Sequence, residues 1–134
     1  MEKKVKEIEF QSHIDERGNL IIIEESKNLP FTPRRMFYIS NVKDDKTRGN
    51  HANIDSEFVM IALQGEVTVC IDDGKVKNEY ILNNQAKGLY IPNMTWKTMY
   101  NFSSDAILLV IANTLYNKEE YINDYNEFLK KVGV

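Results

Sequence analysis

Phe58-Val59-Met60-Ile61-Ala62-Leu63 runs into Gln64-Gly65, and the chain continues Glu66-Val67-Thr68-Val69-Cys70-Ile71 to Asp72-Asp73-Gly74-Lys75. The first six residues form an apolar run of strand length. After Gln64-Gly65 the pattern alternates, with Val67, Val69 and Ile71 on one face and Glu66, Thr68 and Cys70 on the other, the period of a half-buried antiparallel strand. Asp-Gly suits the positive backbone angles of a short hairpin turn, so Asp72 to Lys75 closes a hairpin and the return strand runs near Lys77 to Leu82. Antiparallel strands with no interposed helix exclude a doubly wound parallel sheet and leave a sandwich, a jelly roll or a small barrel.

Outward from that stretch, further strands are expected around Val5, Ile8 and Phe10, at Leu20 to Ile23 and at Met36 to Ile39. Later ones are expected at Gly88 to Ile91, ended by Pro92, at Trp96 to Phe102 and at Ala106 to Ala112. Near the C-terminus the period changes: Tyr121, Ile122, Tyr125, Phe128, Leu129 and Val132 recur at spacings of three and four. This predicts a helix from about Lys118 to Val132, with Asn117 as its cap, Glu120 at the capping-box position and Lys130 and Lys131 at its negative end. No repeat or linker divides the 134 residues, so one domain over residues 1–134 is the expectation.

The chain has 17 Lys and Arg against 20 Asp and Glu, a formal net charge of -3. That balance supplies no global attraction to a polyanion, so nucleic acid is not the expected partner, although an arginine cluster can still meet one phosphorylated small molecule. No 18-residue apolar run is available to cross a membrane. The N-terminus lacks the continuous apolar core of a secretory signal, and Cys70 is the only cysteine. A cytoplasmic location is the expectation.

Histidine is the natural proton shuttle near neutral pH, and only His13 and His51 are present. His13 lies in a polar early turn, where a surface or structural role is expected. His51 lies in Arg48-Gly49-Asn50-His51-Ala52-Asn53, just before the apolar strand. If residues 51 to 53 are extended, His51 and Asn53 share one face and Ala52 serves the other. Asparagine is a weak transition-metal ligand and no second histidine accompanies His51 and Glu57, so a metal-free mechanism without a cofactor is preferred. A carboxylate such as Glu57 could orient the His51 ring. Arg17, Arg34, Arg35 and Arg48 recur near strand starts or turns and could clamp phosphate.

Several segments resemble the family of nucleotide-sugar 3,4-ketoisomerases, cupin-type enzymes acting on dTDP-4-keto-6-deoxyglucose. They are Asp15 to Leu20, Pro30-Phe31, Arg35 to Ile39, Arg48 to Ala52, Asp72-Asp73-Gly74, Gly88 to Pro92 with Trp96, Asn101 to Asp105, and Tyr121-Ile122 with Asp124-Tyr125 and Phe128. The resemblance implies an all-β cupin double-stranded β-helix, or jelly roll, with a C-terminal α-helix, assembled as a homodimer. It also implies a dTDP-linked ketosugar as ligand and an isomerisation that moves the carbonyl from sugar carbon four to carbon three through an enediolate, with His51 as base. On the same basis Asn53 and Lys97 are candidate catalytic residues, and Arg17, Arg35, Tyr38, Arg48, Glu57 and Trp96 are candidate substrate-binding residues.

The chain departs from the family's pattern at identifiable positions. Asn53 stands where the family has a second histidine, Phe58 where it usually has glutamine, Lys97 where it usually has histidine, and Asn123 where it usually has arginine. One expectation is that Lys97 supplies electrostatic assistance while His51 moves the proton. The alternatives are a nucleotide-sugar binding or pathway-assembly protein without turnover, and a related cupin epimerase or tautomerase.

Overall fold

The computed structural model describes residues 3–43 and 45–134. The strands are β1 (Lys6–Glu9), β2 (Gln11–Asp15), β3 (Gly18–Ile22), β4 (Arg35–Ser40), β5 (Arg48–Asn53), β6 (Phe58–Gln64), β7 (Val67–Asp72), β8 (Lys77–Leu82), β9 (Lys87–Ile91), β10 (Trp96–Tyr100), β11 (Ile107–Ala112) and β12 (Tyr121–Ile122). A 3-10 turn at Lys118–Glu120 precedes β12, and the helix α1 (Tyr125–Lys131) ends the chain.

One sheet has the order β1-β9-β6-β11-β4 and the other β12-β5-β10-β7-β8, while β2 and β3 form a separate hairpin. From β4 onward the chain crosses repeatedly between the two sheets, which makes the sandwich a jelly roll. The crossings have a sequence cause. Phe58, Met60 and Ala62 of β6 enter the core between the sheets with Val67, Val69 and Ile71 of β7 and Leu108 and Val110 of β11. Val59 and Ile61 point the other way, into a second cluster under Phe10, Leu29 and Tyr90. β6 is therefore buried on both faces from Phe58 to Ala62, whereas β7 gives its alternate residues Val67, Val69 and Ile71 to the interior.

The Asp-Gly turn is built by side chains as well as by backbone freedom. Gly74 has φ +98°. Asp72 Oδ1 accepts the Gly74 N–H at 2.8 Å, and Asp73 Oδ1 accepts those of Lys75 and Val76 at 2.8 and 2.9 Å. The residues around His13, expected as a turn, instead form β2, paired with β3 in the register His13 to Leu20.

The C-terminal helix is shorter than its apolar spacing predicts. Glu120 does not cap a helix, because its carboxylate is drawn inward by the backbone of Asp55 and Ser56. Tyr121 and Ile122 then pair with Asn53 and Ala52 as β12. Asn117 caps only the 3-10 turn, accepting the Glu119 N–H, and the true helix cap is Asp124, which accepts from Asn126. A seven-residue helix is not stable alone. Its anchor is Phe128, fully buried with Ala52 and Ile122 on the outer face of β5, where truncation to alanine costs about 3–5 kcal/mol. No described helix is long and apolar enough to cross a membrane.

Candidate active site

β5 and β10 place their side chains by register. Lys97 of β10 stands directly opposite His51 of β5, but Thr98 pairs with Gly49, so Asn50 is an extra residue and the ladder bulges there. Gly49 and Asn50 both take positive φ, +93° and +60°. A β-carbon at Gly49 would meet the Lys97 carbonyl oxygen at 2.8 Å. Simple alternation puts Arg48 on the face opposite His51. The bulge turns it back, so that Arg48 and His51 both line a cavity of about 190 Å³ between the two sheets. Lys97 and Tyr121 complete the polar wall, and Phe37, Ile39, Phe58 and Met60 make up much of the apolar one. The volume is below the ~300 Å³ of common ligand pockets, so it suits the reacting part of a ligand whose remainder lies at the mouth.

The His51 ring lies 5.0 Å from that of Tyr121, centroid to centroid. Its pKa is pushed down to about 4, first by burial and then by the charge of Lys97. At neutral pH the imidazole is therefore uncharged and able to accept a proton.

Lys97 is 2% exposed. Its ammonium donates to Asn53 Oδ1 at 3.0 Å and to the Thr95 carbonyl at 3.3 Å. It also sits over the Phe58 ring, 4.9 Å from the centroid, an arrangement in which the ring face attracts the cation. Burial lowers its pKa to about 7, partly opposed by Glu120. Asn53 is fully buried, and both ends of its amide are engaged by the protein. Its oxygen takes Lys97, and its nitrogen donates to Glu120 Oε2 at 3.1 Å.

Glu120 accepts further bonds from the backbone N–H groups of Asp55 and Ser56 at 2.8 and 2.9 Å and from the Ser56 hydroxyl. Burial works against its charge, but these donors outweigh burial and hold its carboxyl below the ordinary glutamate value. Among the described residues no group of three or more His, Cys, Asp or Glu is placed to hold a metal ion.

Comparison with known proteins identifies the family. The family described as "FdtA: WxcM-like, C-terminal" matches residues 3–133. The TDP-4-oxo-6-deoxy-alpha-D-glucose-3,4-oxoisomerase of Aneurinibacillus thermoaerophilus is 41% identical over 133 residues, 99% of this chain and 94% of that protein. This chain belongs to that family of cupin-type 3,4-ketoisomerases.

Solved structures in the family superimpose closely. The TDP-fucose-3,4-ketoisomerase WlaRA of Campylobacter jejuni is 46% identical, with a TM-score of 0.93 over 98% of this chain and 97% of its own. A mutant of the 3,4-ketoisomerase QdtA of Thermoanaerobacterium thermosaccharolyticum, in complex with TDP-4-keto-6-deoxyglucose, is 31% identical, with a TM-score of 0.94 over 98% and 96%. The jelly roll with a C-terminal helix implied by the sequence resemblance is the fold of this chain.

Three departures from the family's pattern meet at one atom. Asn53, Phe58 and Lys97 are dispersed in sequence, yet the Lys97 ammonium touches both of the others.

The other candidates are dispersed. Arg35 lies near the rim, its guanidinium 5.5 Å from the Phe37 ring and 5.7 Å from that of Tyr116, with Nε and Nη2 shut off from solvent and unpartnered. Arg17 is at the tip of the β2–β3 hairpin, paired with its own Asp15 at 2.6 Å. Tyr38 is 70% exposed on β4, where it alternates with the cavity residues Phe37 and Ile39.

Glu57 does not reach His51. It belongs to the outer side of the first sheet, where it accepts from Tyr90 Oη at 2.5 Å, Lys3 Nζ at 2.7 Å and Asn113 Nδ2 at 3.3 Å. Trp96 is one residue out of phase with Lys97 and packs on the far face of the sheet against Tyr125 and Phe128. His13 is exposed. A larger groove, about 670 Å³, lies between β1 and the segment 25–32 and holds none of these candidates.

Sequence reasoning missed Tyr121 and Glu120 as site residues because both were assigned to a helix. The signal that could have found them is the break Asn113-Thr114-Leu115-Tyr116-Asn117, which has neither strand alternation nor helix spacing and is too far from Asp124 to cap its helix.

Proposed function

We propose that the chain catalyses 3,4-ketoisomerisation of dTDP-4-keto-6-deoxyglucose, with His51 as the base. The observation that carries the reading is a neutral imidazole and a lysine side by side on one cavity wall, in a chain 41% identical to an oxoisomerase of that substrate. His51 removes the proton at carbon three, which is acidified by the neighbouring carbonyl at carbon four. The C–H electron pair becomes the double bond between carbons three and four, the carbonyl's π pair moves onto the carbon-four oxygen, and an enediolate is left. The Lys97 cation, fixed before substrate arrives, faces the developing negative charge and lowers the barrier. Transfer of the carbon-three hydroxyl proton to the carbon-four oxygen, together with protonation at carbon four, then leaves the carbonyl at carbon three and a hydroxyl at carbon four.

Two of the ammonium's three N–H groups are taken by Asn53 and Thr95, and the third is left for the Phe58 ring or a substrate oxygen. Arg48 on the cavity wall and Arg35, beside the cavity residue Phe37, are the residues proposed for the diphosphate. The nucleotide sugar and the single free cysteine fit a one-domain cytoplasmic enzyme. A homodimer would cover the exposed apolar side chains of the hairpin and of β4, Ile14, Leu20, Met36 and Tyr38. Arg17 would then stand at or near the subunit contact.

The test is incubation with dTDP-4-keto-6-deoxyglucose in deuterated water, followed by NMR. A carbonyl signal moving to carbon three is expected. Tight dTDP binding with neither a moved carbonyl nor deuterium in the ring would instead establish a binding protein, and deuterium entry without carbonyl movement would point to an epimerase or tautomerase.

A further inference from the structure

We propose that Glu120 is a positioning residue for the isomerisation, acting on Lys97 through the Asn53 amide, an inference that rests on the function proposed above. The geometry runs in one line: Lys97 Nζ to Asn53 Oδ1 at 3.0 Å, then Asn53 Nδ2 to Glu120 Oε2 at 3.1 Å. The polarity of that line is forced. A cation can only take the amide oxygen and a carboxylate can only take the amide nitrogen, so the two charges at the ends lock the amide between them. A histidine at position 53 would instead place a titrating ring in that slot.

Glu120 is itself held by the backbone N–H groups of Asp55 and Ser56 and by the Ser56 hydroxyl, which is in turn 2.5 Å from Thr114 Oγ1. The carboxylate is thus ionised, immobile and turned toward the cavity from behind. Each group in the line is buried, and a chain of hydrogen bonds in a low-dielectric interior couples its ends more strongly than the same groups do in water.

The consequence concerns the proton on Lys97. The charged or titratable groups facing it are His51 and Arg48 from β5, Tyr121 from β12, and Glu120 through the amide. Cys70 and Asp72 of the neighbouring β7 line a groove on the other face of the sheet with Trp96 and Thr98. The facing core strands offer Phe37, Ile39, Phe58, Met60 and Val110, none of them charged. Glu120 is therefore the negative group among the described residues that opposes the desolvation of Lys97, and without it the amine gives up its proton at lower pH.

Glu120→Gln keeps the shape and, through Oε1, the acceptor for the Asp55 and Ser56 N–H groups, while it removes the charge and sets an NH2 against Asn53 Nδ2 in place of the accepting Oε2. It is expected to move the alkaline limb of the kcat/KM profile, and the titration of the Lys97 side chain followed by carbon NMR with Lys97→Met for assignment, to lower pH by roughly one unit. At pH 8 this reads as about a tenfold loss of kcat/KM. Asn53→Ala, which cuts the line but leaves Glu120 bonded to Ser56, is expected to shift the limb the same way and decides the matter if Glu120→Gln does not fold. A lowered Tm with an unmoved limb and an unmoved Lys97 titration would overturn the proposal and make Glu120 a brace for the β5–β6 connection. The NMR titration needs no turnover, so a shifted Lys97 titration in a chain that isomerises nothing would uphold the coupling and defeat the functional reading instead.

Discussion

Two carboxylates attach to the same short connection between β5 and β6 and face opposite ways. Glu57 lies within it and turns outward, to Tyr90, Asn113 and the half-exposed Lys3. Glu120 comes from a distant turn, binds the neighbouring Asp55 and Ser56, and looks inward through Asn53 to Lys97. Both are buried and hydrogen bonded, so burial alone does not mark a functional group. The difference lies in the cation at the other end. Lys3 is half-exposed, whereas Lys97 is out of water and depends on its surroundings to keep a proton.

The comparison breaks most visibly if the cavity side does no chemistry. His51→Asn is expected to lower kcat by about 10³-fold while dTDP binds within a few-fold of the unaltered protein, measured by NMR turnover and calorimetry. Full retention of kcat would leave both carboxylates as structural parts. Lys97→Met is expected to cost about 10²-fold in kcat, against no measurable change for Lys3→Met, and equal effects of the two would erase the distinction between the sides.

The outward carboxylate should register in stability instead of rate. Glu57→Gln weakens the contact with Tyr90, whose hydroxyl is held well above the ordinary tyrosine pKa by burial and by that carboxylate. The expected loss is about 1–3 kcal/mol in urea denaturation, with kcat/KM unchanged.

The smallest effect sharpens the comparison through pH. Lys97 titrates near 7 when folded and near 10.5 when unfolded. Between those values the unfolded chain holds the extra proton, so this group makes stability climb as pH rises from 7 toward 10.5. His51, near 4 folded and 6.5 unfolded, acts in the same direction at lower pH, its share being lost as pH falls below 6.5. Comparing Tm at pH 7 and pH 9, the rise is expected to be a few degrees smaller in Lys97→Met than in the unaltered protein, and identical rises would show that the buried amine is not titrating there.

Local pattern carried the strands a long way. The alternation of Val67, Val69 and Ile71, the Asp-Gly turn and the shared face of His51 and Asn53 were all legible because strand period and turn chemistry act over a few neighbouring residues. The bulge at Gly49-Asn50 was half legible, in two residues that tolerate positive φ, but its effect on Arg48 depends on the partner strand β10. The C-terminal stripe was read as one helix because Tyr121 and Ile122 fit its spacing. Pairing with β5 claimed them for a strand.

The amino-acid sequence by itself determined an all-β chain with a helical end, one histidine suited to proton transfer and, among the four positions that depart from the family it resembles, Asn53, Phe58 and Lys97. Only the tertiary structure decided that those replacements touch one another, that Glu57 faces away from the cavity and that Glu120 stands behind it. The physical reason is separation: the Lys97–Asn53 and Asn53–Glu120 bonds join residues 44 and 67 positions apart. No periodicity spans such distances, and the charge state of a buried amine is set by whatever the fold brings beside it.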